Sequence, residues 1–347
     1  MKAAEALYLG LKDNPAHNVT FVDSLDYTSP SFKELYRGSY TFFVTKVPQI
    51  WGFFFWLLDQ DWLQPLVRLS RRIYNKVNAK KFEDFLIAQQ FDYILSTHFL
   101  ASEVAPTLKG KGLIRSKIIT VVTDFDVHRI WLHPNTDLYT VASDWTKNKL
   151  KTLGVAQEKV FVTGIPTDAK FAKKINKQEA KRFLGLKEDE FTVLIATGSF
   201  GMGPIKEIIH SLKGFQVIVV CGNNKVLYET LKNEQQPLLK VFGLINNMPE
   251  VMAATDVMVT KPGGLSICEA LVSYLPLIFF NPIPGQETNN IKVLKTYDIG
   301  LSDCTIAQVT QELNKLKNSR DLFLTAVKNT QNLARPNAVR DIVSLIK

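Results

Sequence analysis

Residues 256–290 read DVMVTKPGGLSICEALVSYLPLIFFNPIPGQETNN, and this stretch decides the fold. Its short apolar runs at residues 256–260 and 277–280 are typical of parallel strands that are covered on both faces. Between them, Gly263, Gly264 and Ser266 predict a helix N-terminus with free backbone N–H groups. Because the helix dipole favours an anion there, the pattern predicts a phosphate site.

Polar side chains follow both of these predicted strands. Glu269 lies about one turn into the helix, and Gln286, Glu287 and Asn290 follow the second strand. A carboxylate at the end of a strand can accept hydrogen bonds from both hydroxyls of a sugar diol. The stretch therefore suggests a ligand with phosphate at one end and hydroxyls at the other, as in a nucleotide sugar. Considered separately, Glu269 could also be a solvated residue of the helix, and Glu287 could be a helix cap.

The composition is that of a globular protein. The chain has 347 residues, of which 46% are hydrophobic and 22% are charged, and this length allows two domains with separate cores. The net charge of +9 indicates an anionic partner, which could be nucleic acid, an acidic membrane or a phosphorylated substrate. Cys221, Cys268 and Cys304 lack metal-ligand spacing, as expected for reduced thiols in a cytosolic protein.

Strands and helices alternate along most of the chain. We predict strands at residues 19–22, 92–96, 117–123, 138–142, 160–163, 191–196, 216–220, 240–243, 256–260 and 277–280. This alternation predicts an α/β protein with two doubly wound Rossmann-like domains. We place the domains at residues 1–166 and 167–347, and the last helix could pack back on the first domain.

Residues 36–58 are rich in aromatic side chains and are followed by a basic stretch. Trp51 and Phe54 are candidates for contact with lipid, and Arg71 and Arg72 for contact with anionic headgroups. The apolar run is too short to span a bilayer. The alternative is a buried helix followed by a solvated basic face.

Two further groups could carry chemistry. Gly198, Gly201 and Gly203 lie between a strand and a helix, where they could adjoin a diphosphate or form an ordinary tight turn. His98, Asp124 and His128 follow strands in the first half, where a general base or a zinc site is conceivable. Either histidine could equally be a structural polar residue.

Four segments together resemble one enzyme family. They are TDFDVHRIW at residues 123–131, VTGIP at 162–166, NMPEVMAATDVMVTKPGGLSICEAL at 247–271 and PIPGQETNN at 282–290. Together they resemble the monogalactosyldiacylglycerol synthase and processive diacylglycerol glucosyltransferase group of glycosyltransferase family 28. The resemblance implies a GT-B fold, in which an N-terminal acceptor and membrane-docking domain and a C-terminal UDP-sugar-binding domain face a cleft.

The resemblance also implies roles for single residues. The implied donor site consists of Gly263, Gly264 and Ser266 on the diphosphate, Glu269 on the ribose, Glu287 with Gln286 and Asn290 on the hexose, Phe242, Gly243 and Met248 around the uracil, and Gly198 and Gly201 beside the phosphates. The family begins with a strand and a Gly-Gly-Gly-His loop, whose histidine is the proposed base. This chain begins inside the helix that follows, so Asp124 and His98 are the fallback candidates for the base.

The resemblance implies an inverting transferase of glycolipid synthesis. It would move glucose or galactose from a UDP-sugar to diacylglycerol at the cytoplasmic face of the cell membrane, as a peripheral protein on an anionic surface. The UDP-sugar is a substrate, and no cofactor, metal or nucleic acid is expected. The alternatives are a peptidoglycan-type UDP-GlcNAc lipid transferase and a truncated, non-catalytic UDP-sugar-binding membrane protein.

Overall fold

The computed structural model describes residues 1–198, 201–234, 236–300 and 305–346, without the side chains of residues 36, 37, 40 and 72–77. The chain divides into two compact units. Unit 1 comprises residues Met1–Asp168, Ile283–Gln286 and Asn337–Lys347, and unit 2 comprises Ala169–Pro282 and Glu287–Pro336. Cys304, one of the three expected reduced thiols, lies outside the described residues, whereas Cys221 and Cys268 are free and buried.

Unit 1 begins with five helices before its first strand. Its elements are α1 (Lys2–Lys12), α2 (Pro30–Lys46), α3 (Pro48–Leu57), α4 (Gln64–Asn78), α5 (Lys80–Gln89), β1 (Tyr93–Ser96), α6 (Phe99–Gly110), β2 (Lys117–Val121), β3 (Leu138–Val141), α7 (Asp144–Thr152) and β4 (Val160–Val162). The four strands form a parallel sheet in the order β1-β2-β3-β4. Ser143 caps α7 as its sequence predicts, and its hydroxyl accepts a hydrogen bond from the Thr146 backbone N–H.

Unit 2 follows the alternation that its sequence predicts. Its elements are α8 (Lys177–Phe183), β5 (Thr192–Ala196), α9 (Ile205–Ser211), β6 (Gln216–Val220), α10 (Lys225–Lys232), β7 (Leu239–Phe242), α11 (Met248–Ala253), β8 (Val257–Thr260), α12 (Gly264–Val272), β9 (Leu277–Phe279), α13 (Gln286–Lys295), α14 (Ile306–Asn318) and α15 (Arg320–Leu333). The last helix of the chain, α16 (Ala338–Val343), belongs to unit 1.

The sheet of unit 2 is parallel, with the strand order β7-β6-β5-β8-β9. Every residue of β5, β6 and β8 is buried, as the continuous apolar runs of these strands require. The chain builds outward from β5 to β7 and then returns to the other side of β5 with β8. The adjacent carboxyl ends of β5 and β8 therefore form the topological switch point of the sheet, where ligands bind in open α/β folds.

The strand predicted at residues 19–22 is wrong. The structure has no regular element at these positions, and the side chain of Phe21 is 39% exposed. A strand is held by ladder hydrogen bonds, and none of the described strands pairs with this segment. The apolar composition of residues 19–22 was therefore insufficient to predict a strand.

Candidate functional site

The phosphate-binding end of the candidate site is the N-terminus of α12. Gly263 is the N-cap of this nine-residue helix and makes no side-chain cap hydrogen bond. The first N–H groups of α12 therefore lack a side-chain acceptor at the cap, and they carry the positive end of the helix dipole. Since the helix directly follows β8, the structure places Gly263, Gly264 and Ser266 at the switch point of the sheet.

Glu287 lies beside this helix terminus. A Cβ added to Gly263 would lie 4.0 Å from Glu287 Oε1, so the carboxylate is close to the phosphate-binding turn. Burial lowers the pKa of the Lys261 amine, and the nearby Glu287 carboxylate opposes this shift. A phosphate at the helix terminus would thus lie near one ammonium and one carboxylate, which suits a ligand with both phosphate and hydroxyl groups.

The second wall of the switch point is the turn after β5. Gly198 has φ 75° and Gly201 has φ 53°, both in the left-handed region that favours glycine. A Cβ on Gly201 would lie 2.5 Å from the Cys221 carbonyl oxygen, so this turn packs closely against the end of β6. Asn224 Nδ2 donates to the Gly201 carbonyl oxygen at 3.0 Å and fixes the turn further.

Two side chains that sequence reasoning missed belong to this switch point. The buried Thr197 hydroxyl, directly after β5, has no hydrogen-bond partner among the residues that the structure describes. Lys261, in the KPGG segment, lies within electrostatic range of Glu287. The signal for both was their position, because each residue immediately follows one of the two strands that flank the switch point.

The other predicted donor residues lie around the same sheet. Glu269 is half-buried in α12, and Phe242, Gly243 and Met248 are half-buried near the carboxyl end of β7 and the start of α11. A Cβ on Gly243 would lie 4.0 Å from the Tyr228 ring. The ring of Tyr228 therefore borders the part of the sheet that the resemblance assigns to uracil.

Asn290, for which we predict a contact with a hexose hydroxyl, bonds to a backbone group of its own unit in the structure. Its side chain is fully buried, and Nδ2 donates to the Pro262 carbonyl oxygen at 3.1 Å. This bond holds the turn that leads into α12. Asn290 is therefore a positioning residue for the phosphate-binding turn.

Gln286 also differs from its predicted role. Its Nε2 donates to Asp124 Oδ1 at 2.8 Å within unit 1, whereas Glu287 belongs to unit 2. The amide that was expected to bind a hexose is thus bonded to the carboxylate that was proposed as a fallback base. The structure brings Gln286 and Asp124 together, and it orients the buried Asp124 side chain.

The two histidines for which a zinc site was conceivable both hydrogen-bond to backbone groups. His98 is the N-cap of α6, with Nδ1 accepting from the Leu100 N–H at 3.3 Å. His128 Nδ1 accepts from the Ile130 N–H at 3.0 Å, and Nε2 donates to the Phe55 carbonyl oxygen at 2.9 Å. Burial lowers the pKa of both imidazoles, that of His98 to about 4. Among the described residues, no three His, Cys, Asp or Glu side chains lie close enough together to hold a metal ion.

The four predicted membrane-contacting residues differ in exposure and in their contacts. Phe54 is 48% exposed on α3, and Trp51 is half-buried on the same helix. Arg71 is not directed to a headgroup, because its guanidinium lies 2.6 Å from the buried Glu103 carboxylate and donates to the Ile130 carbonyl oxygen. Burial lowers the pKa of Arg71 despite this ion pair. The side chain of Arg72 lies outside the described residues.

An exposed apolar face nevertheless lies on these helices. None of the residues of α3 is buried. The large exposed side chains are Ile50, Phe53, Phe54, Trp56 and Leu58 of α3 and its C-cap, and Leu66 and Leu69 of α4. We refer to these seven residues as the aromatic face.

Two family models match consecutive parts of the chain. Residues 1–167 match the monogalactosyldiacylglycerol (MGDG) synthase model, and residues 160–332 match the glycosyltransferase family 28 C-terminal domain model. A processive diacylglycerol beta-glucosyltransferase of Bacillus mycoides is 35% identical over 224 residues, which cover 62% of this chain and 57% of that relative. The chain thus spans little more than half the length of the curated relatives that it matches.

Solved structures support the fold assignment. S. aureus MnaA, solved with UDP, has a TM-score of 0.64 at 15% identity and covers 100% of this chain and 92% of its own. MurG of Acinetobacter baumannii has a TM-score of 0.56 at 17% identity, over 77% of this chain and 76% of its own. The two parallel α/β units are those of a GT-B protein. The two family models together account for residues 1–332, so the chain joins a monogalactosyldiacylglycerol synthase domain to a C-terminal domain of glycosyltransferase family 28.

Proposed function

We propose that this protein is an inverting hexosyltransferase that moves a hexose from a UDP-sugar to diacylglycerol in glycolipid synthesis. The observation that carries the proposal is the N-terminus of α12 at the switch point, where the Gly263 cap has no side chain and the Glu287 carboxylate lies nearby. The names of the matched relatives favour glucose as the hexose, and galactose is the second candidate. The UDP-sugar acts as a substrate, and we propose no cofactor.

On this proposal, unit 2 stabilises the leaving group. The N–H groups of Gly264 and the following residues would bind the diphosphate, and the Lys261 ammonium would add a positive charge nearby. Both are in place before the reaction, so they stabilise the charge that develops as the bond from the anomeric carbon to the phosphate oxygen breaks. Glu269 and Glu287 would accept hydrogen bonds from the ribose and the hexose.

Unit 1 would provide the base. The acceptor hydroxyl forms a bond to the anomeric carbon from the face opposite the departing UDP, which inverts that carbon, and its proton passes to a base. Asp124 suits this role better than His98, because the Gln286 amide orients its carboxylate. In His98 the Nδ1 atom already accepts from the Leu100 N–H, so that nitrogen is not available for a proton.

The aromatic face supports a peripheral position on the membrane. It combines exposed Phe and Trp rings with leucines, as in helices that lie in the bilayer interface. Among the described residues, no helix is both long and apolar enough to cross a bilayer. The net charge of +9 favours an anionic surface, and a substrate made in the cytoplasm favours the inner face of the cell membrane.

The direct test is transfer from radiolabelled UDP-glucose to diacylglycerol in anionic vesicles, followed by separation of the lipid products. We expect labelled glucosyl-diacylglycerol, and a parallel reaction with UDP-galactose decides between the two hexoses. A Glu287→Gln variant should lose transfer while it still binds UDP. The absence of lipid product with both sugars, in a protein that binds UDP, would instead favour the non-catalytic binder. Transfer of GlcNAc from UDP-GlcNAc to a peptidoglycan lipid precursor would favour the other transferase.

A further inference from the structure

Unit 1 contains a cavity of about 350 Å³ that the donor site does not use. Its walls come from α2, α4, the N-terminal turn of α6 and the loop after β2, and from Leu58 at the end of α3. The apolar walls include Phe32, Val67, Leu100 and Ile130. We propose that this cavity binds one acyl chain of the diacylglycerol acceptor. This inference rests on the proposed function, because it names the binding site of the proposed acceptor.

The polar groups in the walls already have partners within the protein. Gln64 Nε2 donates to the Leu58 and Gln60 carbonyl oxygens, at 2.9 and 3.1 Å. Both ring nitrogens of His128 are engaged with backbone groups. Arg71 is held by Glu103 and the Ile130 carbonyl oxygen. Because a polar ligand would find few vacant partners here, these walls select an apolar occupant.

The size of the cavity suits a single hydrocarbon chain. A volume of about 350 Å³ lies at the lower end of the range of about 300–1,000 Å³ that is typical of small-molecule pockets. A whole diacylglycerol molecule with two long chains is larger than this. The second chain would therefore stay in the bilayer or on the apolar surface outside.

The cavity and the aromatic face share one residue, Leu58. Leu58 lines the cavity and is 40% exposed on the aromatic face, and the lining residue Val67 lies between the exposed Leu66 and Leu69 on α4. An acyl chain could thus enter from a docked bilayer without crossing water, which avoids the cost of exposing it. This shared wall favours a membrane lipid as the occupant.

Two residues of the cavity wall are neighbours of the candidate bases His98 and Asp124 along the chain. Phe99, in the cavity wall, stacks on His98 with ring centroids 4.2 Å apart. His128, also in the wall, is four residues after Asp124 in the same loop. A chain held in the cavity would keep the glycerol end of the acceptor near the part of unit 1 that carries Asp124.

The test measures binding of dioctanoylglycerol, a short-chain acceptor used below its aggregation concentration, by isothermal titration calorimetry with the full chain. Val67→Phe fills the cavity from its buried wall, and we expect it to weaken binding at least tenfold. Ser70→Phe blocks the cavity from an exposed position, so it should act similarly with little risk to folding. Leu113→Phe is the matched control, since Leu113 is 45% exposed in unit 1 and does not line the cavity.

Three results would overturn the inference. They are unchanged binding in both cavity variants, equal loss in the Leu113→Phe control, and equally tight binding of dioctanoyl-phosphatidylglycerol, which would indicate a phospholipid site. UDP binding in each variant reports whether unit 2 remains folded, and circular dichroism reports on the whole chain. Trp56→Ser should weaken vesicle binding but leave dioctanoylglycerol binding intact.

Transfer assays separate this inference from the proposed function. If the wild-type protein glucosylates diacylglycerol and both cavity variants keep the same KM for it, the cavity assignment is wrong and the proposed function stands. If the protein binds dioctanoylglycerol in the cavity but transfers no sugar, the proposed function is wrong and the cavity assignment stands. A raised KM for diacylglycerol at an unchanged KM for the UDP-sugar supports both.

Discussion

At the scale of single residues, a substitution of Glu269 tests whether this side chain binds the ribose or has only a structural role. Glu269→Ala should weaken UDP-sugar binding by about 1–3 kcal/mol, because the sugar hydroxyls would lose their acceptor in a desolvated site. Calorimetric titration with UDP-glucose measures this change. Glu229→Ala, at an exposed position on α10 of the same unit, should leave the dissociation constant unchanged. Equal affinity in the Glu269 variant would place the ribose elsewhere.

The buried His98 makes stability depend on pH. Burial lowers its pKa in the folded protein from the ordinary 6.5 to about 4, with a further lowering by the Met1 amino group that Asp23 opposes. Between these values the unfolded chain binds more protons than the folded protein. The stabilisation that depends on neutral His98 is therefore complete above pH 6.5 and is lost progressively as the pH falls towards 4.

His98→Asn tests this dependence. Asparagine can still cap α6 but does not titrate, so the variant should lose less stability than the wild type between neutral and acidic pH. Urea unfolding at several pH values, monitored by circular dichroism, gives both slopes. Parallel slopes would mean that other groups cause the acid sensitivity of the fold.

At the scale of elements, α3 should tolerate changes on one face and not on the other. Phe53→Ser and Trp56→Ser remove rings that are each 56% exposed, so they should reduce binding to anionic vesicles with little change in unfolding temperature. Phe55→Ser should lower the unfolding temperature, because the ring of Phe55 lies 4.3 Å from that of His128. Vesicle co-sedimentation and thermal unfolding distinguish the two faces. Unfolding by the Phe53 or Trp56 change would show that these rings belong to a core.

The strands and two polar side chains show which features could be predicted from the sequence and which could not. The buried strands β5 and β8 were predictable, because parallel strands covered on both faces need continuous apolar runs. Residues 19–22 have a similar composition but lack a pairing strand, which composition does not reveal. The predicted roles of Arg71 and Asn290 differ from their observed contacts for another reason. A polar side chain that binds a ligand and one that bonds to its own protein have the same identity, and only the fold brings Glu103 or the Pro262 carbonyl oxygen to them.

At the scale of the whole molecule, the net charge of +9 predicts a salt-sensitive step in membrane binding. Raising the ionic strength from about 0.1 M to about 1 M shortens the Debye length from about 10 Å to about 3 Å. Binding to anionic vesicles should therefore weaken strongly over this range, while weak binding to uncharged vesicles, driven by the aromatic face, should change little. Salt-independent binding to anionic vesicles would show that the basic residues do not contribute.

The packing of α16 against α1 leads to a second prediction at this scale. Ile342 of α16 is fully buried in a cluster with Leu7 of α1 and with Ile119 and Val121 of β2. Ile342→Ala should destabilise unit 1 by about 2–5 kcal/mol, the usual cost of such a core truncation. Thermal unfolding measures the loss, and UDP binding should persist because the proposed diphosphate-binding turn lies in unit 2. An unchanged unfolding temperature would show that α16 adds little to this core.

The position of α16 also constrains how a cell makes this protein. Domains usually fold in order as they leave the ribosome, with the N-terminal one first. Here the core that contains Leu7, Ile119 and Val121 also needs Ile342, which is translated after the whole of unit 2. Most of unit 1 is thus synthesised before unit 2, but its core is completed only after unit 2 has been made. During that interval it exposes both the aromatic face and an open core edge, which makes early capture by a chaperone or by the membrane itself advantageous.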